Sequence, residues 1–337
     1  MFGLYRTFLA LMVVALHIGG VPMTGVYAVF GFYVLSGYLM TLIMHNSYGY
    51  TATGFYRYAL NRFLRIYPVY WVSIIFSAVL IWCLGSSFTS SYHPSMHFPA
   101  GALGWAKNLL LFFPKGSISR LTPPTWALTV EIFFYILIGL GISKSRRLTL
   151  FWFFGSAAYH FGTLFLQPDW SYRYYSISAA SLPFSTGALL FHHMPSVTKW
   201  RDPESGALRY YLPYIVTFLI LINWFLGYVL EQSTGFFFYS NYALCTLMTA
   251  ALYDRKQLPY VSREIDKWVG EFSYPIYLLH YQVGIVVIAL LAAFGIELSR
   301  PSLVLMAVSM PLLFICSWAV LATLAKPIES VRARVRG

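Results

Sequence analysis

FGLYRTFLALMVVALH, residues 2–17, is an apolar stretch that carries one guanidinium group, on Arg6, and one imidazole, on His17. In an α-helix eleven residues rise ~16 Å, about half of a hydrocarbon core, and return to nearly the same face. Ionisable groups at that depth are costly and are usually kept for function. The stretch predicts a membrane helix with a cation near one surface and a titratable base inside. The alternative is a topogenic Arg6 and a His17 that only bonds a neighbouring helix.

The composition predicts a polytopic membrane protein of the all-α class, a transmembrane helical bundle. Of the 337 residues, 58% are hydrophobic and 10% are charged, whereas about a quarter of a soluble chain is charged. The net charge of +12 does not indicate nucleic acid, because the cations lie in short loops between apolar runs. The three cysteines lie in apolar runs without metal-ligand spacing, so neither a disulfide framework nor a metal site is predicted. We predict one membrane domain, residues 1–337, with no appended soluble domain.

About ten membrane spans are predicted from the apolar runs. They cover residues 2–20, 25–45, 67–85, 122–142, 148–166, 176–191, 210–230, 235–252, 273–294 and 302–325. With the N-terminus inside, 18 of the 23 Lys and Arg residues lie on the inner side, which predicts that both termini are cytoplasmic. Residues 46–66 are predicted to lie along the membrane surface as an amphipathic helix. Residues 86–121 are predicted to re-enter the membrane or to cover its outer side.

Glu131 is the acidic residue that lies within an apolar span, near its outer end. Helix rise puts Glu131 and His17 at similar depths in the outer half of the membrane, so the two are predicted to meet. A base beside a carboxylate is a recurring device for deprotonating a hydroxyl group. The alternative is a structural tie between Glu131 and an arginine or the backbone.

Arg62 and Arg65 lie three residues apart before the third span, where Pro68 is predicted to mark a change of direction. With Arg6 they are predicted to gather at the inner side, and clustered guanidinium groups suit phosphate. The alternative is topology and contact with lipid headgroups. Gly31, Ser36 and Gly37 are predicted to permit close approach between helices, and packing is the predicted role of Ser36, with substrate contact as the alternative.

Tyr277 and His280 share a helix face with Ser273. Counted from the start of its span, His280 is ~10 Å deep, which predicts a position in the inner half, well below His17. Such a residue is more typical of a channel lining or a helix contact than of a base. The outer loops contain aromatic and imidazole groups that could stack on sugars or simply lie at the interface. These are His93, His97, Trp105, Trp170 and Tyr172.

Five motifs, taken together, resemble the acyltransferase-3 family of membrane acyltransferases. They are Arg6 with His17 eleven residues later, GVYAVFGFYVLSGY at 25–38, RFLRIYP at 62–68, TWALTVEIFFY at 125–135 and SYPIYLLH at 273–280. Two departures are visible: no acidic residue precedes Arg6, and Ala127 stands where the family often has serine.

The resemblance implies an O-acyltransferase in the bacterial inner membrane. It implies that an acyl group, most commonly acetyl, passes from cytoplasmic acyl-CoA to a sugar hydroxyl of an exopolysaccharide, an O-antigen or a lipid-linked repeat unit on the outer side. The implied catalytic residues are His17 and Glu131, and Trp126 and Tyr135 would contact the acceptor. The implied donor-binding residues are Arg6, Arg62, Arg65, Ser36, Tyr277 and His280.

The partners implied are acyl-CoA, a glycan or lipid-linked oligosaccharide and membrane lipids, without nucleic acid or metal. The identity of the acyl group, acetyl or succinyl, stays open, as does transfer through an acyl-histidine. A transporter or flippase of lipid-linked sugars is the alternative function, because it would also use buried imidazole and carboxylate groups for proton coupling.

Overall fold

The computed structural model describes residues 1–113, 119–167, 169–197, 206–253, 255 and 258–336. These residues form helices and connecting segments, and no strand is present among them. Four of the cations that were counted for topology, Lys115, Lys199, Arg201 and Lys256, lie outside the described residues.

Thirteen α-helices are described, and they account for most of the described chain. They are α1 (Gly3–His17), α2 (Thr24–Ile43), α3 (Ala52–Leu84), α4 (Ser86–Tyr92), α5 (Gly101–Leu109), α6 (Trp126–Gly139), α7 (Arg146–Leu166), α8 (Ile177–Val197), α9 (Gly206–Val229), α10 (Phe236–Leu252), α11 (Arg263–Ala293), α12 (Leu303–Val320) and α13 (Lys326–Arg336). Short π-helices follow α2 at Met44–Tyr48 and α12 at Leu321–Ala325, and a 3-10 turn at Pro123–Thr125 leads into α6.

Each of the ten predicted spans overlaps one of these helices. Five helical segments within the described residues are long and apolar enough to cross a membrane: Thr24–Tyr48, Ala52–Leu84, Tyr210–Val229, Arg263–Ala293 and Leu303–Val335. The prediction of a helical, multi-pass membrane protein is confirmed at this level. The number of spans and the side of the membrane on which the termini lie stay predictions.

The region before the third predicted span differs from the prediction. We expected a surface helix within residues 46–66 and a change of direction at Pro68. The structure instead has one continuous helix, α3, with Pro68 in its interior. Proline removes one backbone hydrogen bond, but membrane helices tolerate this loss because neighbouring groups satisfy the freed carbonyl. A proline therefore did not mark a boundary.

The segment after α3 folds as two short helices, α4 and α5, that attach to α3. The Tyr70 hydroxyl donates to the Asn108 carbonyl at 2.5 Å, and the Trp71 indole donates to the Leu109 carbonyl at 3.0 Å. The buried Asn108 side chain also accepts from the Leu121 amide at 2.9 Å. These bonds satisfy loop polar groups that would otherwise be buried without partners.

The chain divides into two compact units, each made of discontinuous segments. The first unit contains Met1–Tyr5, Val26–Ala59 and Val130–Trp268. In it α7 packs against α8, and α9 packs against α10. The second unit contains Arg6–Gly25, Leu60–Thr129 and Val269–Gly337. It holds most of α1, the larger part of α3, most of α11 and the whole of α4, α5, α12 and α13.

Helices α2 and α8 cross closely in the first unit because glycine lies at the crossing on both sides. A Cβ atom at Gly37 would overlap the Phe184 carbonyl, and one at Gly187 would overlap the Val34 carbonyl. Small residues allow this approach between membrane helices. The close packing predicted at Gly37 is therefore confirmed.

Gly37→Ala is expected to destabilise the protein, because the added methyl group must push α2 and α8 apart. Overpacking of this kind costs about 1–3 kcal/mol and should lower the melting temperature of the detergent-solubilised protein by roughly 5 °C. Gly155→Ala is the matched control, since nothing lies within 4 Å of a Cβ atom at that helical position. Thermal unfolding followed by size-exclusion chromatography measures both, and equal melting temperatures would contradict the tight crossing.

Candidate active site

Helices α1 and α11 run side by side in the same direction in the second unit. Near one end, Arg6 Nη2 donates to the Gly270 carbonyl at 3.4 Å and the Thr7 hydroxyl donates to the Val269 carbonyl at 2.8 Å. Further along, Nδ1 of His17 and Nε2 of His280 are 3.0 Å apart. His17 follows Arg6 by eleven residues on α1, and His280 follows Gly270 by ten residues on α11. The two helices therefore stay side by side from the guanidinium group to the imidazole.

The partners of His280 determine which nitrogen of His17 is basic. Nδ1 of His280 lies 2.8 Å from the Tyr277 carbonyl, which only accepts, so this nitrogen carries the hydrogen. In the neutral ring Nε2 of His280 is then an acceptor, and Nδ1 of His17 must donate to it. The lone pair of a neutral His17 therefore lies on Nε2. Within the described part of the chain, Nε2 of His17 forms no hydrogen bond.

Aromatic rings hold this histidine pair in place. The rings of His17 and His280 are nearly parallel, with 5.2 Å between centroids and 3° between planes, as in an edge-to-edge hydrogen-bonded pair. The ring centroid of Tyr281 lies 5.0 Å from that of His17 and 4.8 Å from that of His280. His280 is fully buried, whereas His17 is partly exposed. Tyr281 therefore packs against both rings of the hydrogen-bonded pair.

The predicted depth of His280 is wrong. We counted its depth from Ser273, but α11 begins at Arg263, so His280 is ~26 Å along the helix. The first turns of α11 carry charges that end the apolar run without ending the hydrogen-bonded helix. His280 consequently lies level with His17 and contacts it directly.

His93 also belongs to this cluster, and nothing in the sequence predicts that position. Its ring lies 5.2 Å from the Tyr281 ring. Its Nδ1 accepts from the amide of Ser95 at 3.2 Å and from the hydroxyl of Ser95 at 2.9 Å, so the hydrogen of the neutral ring lies on Nε2. No local pattern in the sequence links a loop histidine to a helix so distant along the chain.

The carboxylate forms a second cluster, in the first unit. The Ser36 hydroxyl donates to Oε1 of Glu131 at 2.8 Å and lies 3.4 Å from the Tyr135 hydroxyl. Glu131 and Tyr135 share one face of α6 at a spacing of four residues. Three residues from two separate motifs, 25–38 and 125–135, are thus brought together. The predicted meeting of Glu131 with His17 stays a prediction.

The predicted donor-binding arginines lie on helices that attach to neighbouring turns of α11. The Gly270 carbonyl accepts from Arg6, and the Tyr274 hydroxyl, one turn later, donates to the Ile66 carbonyl at 2.9 Å. Ile66 directly follows Arg65 on α3. The gathering of the three guanidinium groups stays a prediction, but the backbone segments that carry Arg6 and Arg65 are about one turn apart along α11.

Tyr277 connects α11 to the start of α6. Its hydroxyl donates to the Pro124 carbonyl at 2.6 Å, two residues before Trp126, the first residue of α6. Its own carbonyl accepts from His280. Tyr277 thus has structural contacts at both polar groups, and the expectation that it contacts the acyl donor stays a prediction, as does acceptor contact by Trp126.

A family model described as an acyltransferase domain matches residues 3–322. The chain belongs to this acyltransferase family. The match covers nearly the whole chain and contains both clusters, and it shows that the protein is an acyltransferase. Searches of curated proteins and of solved structures gave no significant match.

The pH dependence of stability tests the position of His93. Burial, together with the Arg120 guanidinium, lowers the pKa of His93 from 6.5 to about 4. Between these values the unfolded chain takes up a proton on His93 that the folded protein does not, so stability is expected to fall as the pH drops from 6.5 towards 4. His93→Asn keeps an acceptor near the Nδ1 position but does not titrate. It should flatten this slope of melting temperature against pH, measured by tryptophan fluorescence.

Ser91→Ala is the control, because this exposed hydroxyl bonds the Phe88 carbonyl of its own helix and does not titrate, so the slope should stay unchanged. A slope that is identical in the wild type and in His93→Asn would show that His93 is not buried in the cluster.

Proposed function

We propose that this acyltransferase is an O-acyltransferase of the bacterial inner membrane. It takes an acyl group, acetyl in the first instance, from cytoplasmic acyl-CoA and transfers it to a sugar hydroxyl of a surface polysaccharide or lipid-linked repeat unit on the outer side. The observation that carries the proposal is the hydrogen bond from Nδ1 of His17 to His280, which leaves the basic lone pair of the neutral His17 ring on Nε2. A general base in hydrogen-bond reach of a hydroxyl is what acyl transfer to an alcohol requires.

In the proposed step the sugar hydroxyl loses its proton to Nε2 of His17 as its oxygen attacks the thioester carbonyl carbon. The tetrahedral intermediate then collapses, the carbon–sulfur bond breaks, and the proton passes from His17 to the departing sulfur. The products are the sugar ester and free CoA, so atoms and charge balance without a further reactant. Direct transfer is preferred over an acyl-histidine, because Nε2 serves here as the proton acceptor.

His280 is proposed as the positioning residue for this base. When His17 takes up a proton, its Nδ1–H bond to His280 becomes charge-assisted and therefore stronger. This hydrogen bond also keeps Nε2 of His17 aimed away from His280. The proposed role builds on the helix contact that was expected for His280 as the alternative to a channel lining, and it uses the contact with the Tyr277 carbonyl.

The donor is proposed to place its phosphates on Arg6, Arg62 and Arg65 at the cytoplasmic side. The helical separation of Arg6 and His17, ~16 Å, is within the reach of an extended pantetheine arm. Ser36, Tyr277 and His280 remain proposed neighbours of that arm. Glu131 is proposed to balance the positive charge that develops on His17 or to hold the acceptor, and Trp126 and Tyr135 are proposed to contact the sugar.

Incubation of the purified protein in proteoliposomes with radiolabelled acetyl-CoA and a cell-envelope glycan should give O-acetylated product. His17→Gln should reduce the rate at least a hundredfold, since a general base contributes about 10²–10⁴. His193→Gln is the control and should retain activity, because the His193 ring bonds the Leu189 carbonyl of its own helix. Mass spectrometry of the surface glycan from cells with either variant gives the same comparison in vivo. Transport of lipid-linked sugar without product, and unchanged by His17→Gln, would instead favour the flippase alternative.

The His280 contact is tested by two substitutions that differ only in hydrogen bonding. His280→Gln offers a carbonyl oxygen near the position of Nε2 and should keep a substantial part of kcat. His280→Leu offers no acceptor and should reduce kcat about tenfold or more, with the acidic limb of the pH–rate profile displaced. A merely structural role predicts equal losses in both variants and an unmoved pH profile.

A further inference from the structure

Arg332 is a buried arginine on α13, a helix that lies beyond the residues matched by the acyltransferase family. It is 5% exposed, whereas Arg334 on the same helix is exposed to solvent. Arginine is seldom buried unless it is paired or binds an anion. The burial of this one cation on a basic helix therefore needs a reason other than membrane topology.

Asn61 on α3 bonds to Arg332 twice. Its amide Nδ2 donates to the Arg332 backbone carbonyl at 3.2 Å, and its Oδ1 accepts from Nη2 of Arg332 at 3.2 Å. The same Oδ1 accepts from Nη2 of Arg62 at 2.8 Å. Two guanidinium groups therefore converge on one neutral oxygen, with their Nη2 nitrogens within ~6 Å of each other, a distance at which like charges repel.

The charged residues near this pair along the chain are one more arginine and one partly exposed carboxylate. Arg65 lies one helical turn from Arg62 on α3, and Arg332 also forms an ion pair with Glu329. Glu329 is about half exposed, so its charge is well screened by solvent. Guanidinium groups that converge in this way provide the planar donor forks that recognise phosphate.

We propose that Arg332 is a further phosphate-binding residue, through which α13 completes the site for the acyl donor begun by Arg62 and Arg65. This inference rests on the proposed function, because it takes the phosphates of acyl-CoA as the ligand. Asn61 Oδ1 holds the two guanidinium groups close to each other, at a fixed separation. A bound phosphate would accept charge-assisted hydrogen bonds from both guanidinium groups, and its negative charge would offset the repulsion between them.

Binding of CoA itself tests the proposal without any acyl transfer. Isothermal titration of CoA into the full chain in phosphatidylcholine nanodiscs should show about tenfold weaker binding for Arg332→Gln, and the loss should be smaller for Arg332→Lys. Arg334→Gln is the matched control and should bind as the wild type does. The melting temperature of each variant identifies any that is misfolded, and Arg332→Lys, which retains the charge and stem, keeps the test decisive if Arg332→Gln is unstable.

Kinetics with two acyl donors provide a second test. Acetyl-pantetheine has the thioester and the arm but lacks the phosphates of acetyl-CoA. Arg332→Gln should raise KM for acetyl-CoA about tenfold with little change in kcat, and it should leave the kinetics with acetyl-pantetheine unchanged. Equal losses with both donors would assign Arg332 to the packing of α13 alone and would overturn the proposal.

Three further outcomes separate the inference from its premise. Unchanged CoA binding by Arg332→Gln, with a reduced response to added anionic lipid, would assign the site to a lipid headgroup and overturn the proposal. Equal CoA binding by the wild type and by Arg332→Gln, with an unchanged response to anionic lipid, would overturn the inference and leave the acyl-CoA-dependent function standing. A wild-type protein that binds no CoA would overturn both.

Discussion

The hydrogen bond from Nδ1 of His17 to Nε2 of His280 is the interaction on which the chemistry of the site depends. Its direction follows from one backbone carbonyl, that of Tyr277, which accepts from the other nitrogen of His280. A main-chain carbonyl cannot donate, so the chain of donors runs one way and ends at Nε2 of His17. The fold thus selects a tautomer through a group that no side-chain substitution removes directly.

Helix α11 positions this hydrogen bond, because residues on its successive turns form hydrogen bonds with other elements of the second unit. Gly270 accepts from α1, Tyr274 donates to α3, and Tyr277 donates to the segment before α6. Gln282, two residues beyond His280, donates to Ser77 on α3. Since these contacts fix α1 and α3 to one helix, the distance between the arginine end and the imidazole end is set by helical rise and not by flexible loops.

The presence of the helices was predictable from the sequence, because long apolar runs are a strong signal. The residue at which a helix begins was not, and neither was the position of a side chain counted from that residue. α3 and α11 both start in charged or polar segments, so hydropathy placed their beginnings near Pro68 and Ser273, whereas the hydrogen-bonded helices begin at Ala52 and Arg263. The wrong depth for His280 follows from this error alone.

Contacts between residues distant along the chain were predicted in part. Ser36 comes from one predicted motif and Glu131 with Tyr135 from another, and the structure joins them. His93 was considered only as a loop residue, because its relation to His17 arises through the ring of Tyr281 on α11. Periodicity describes the face of a single helix and carries no information about which loop packs on it.

The occupied Nδ1 of His17 also limits what a carboxylate does in this enzyme. In hydrolases that pair a base histidine with a carboxylate, the carboxylate accepts from Nδ1 and so fixes the tautomer. Here His280 holds that position, and a neutral ring there does the orienting without adding charge. Glu131, whose Oε1 accepts from Ser36, is therefore not required to fix this tautomer. The tautomer of His17 is set within the second unit, by His280 and the Tyr277 carbonyl.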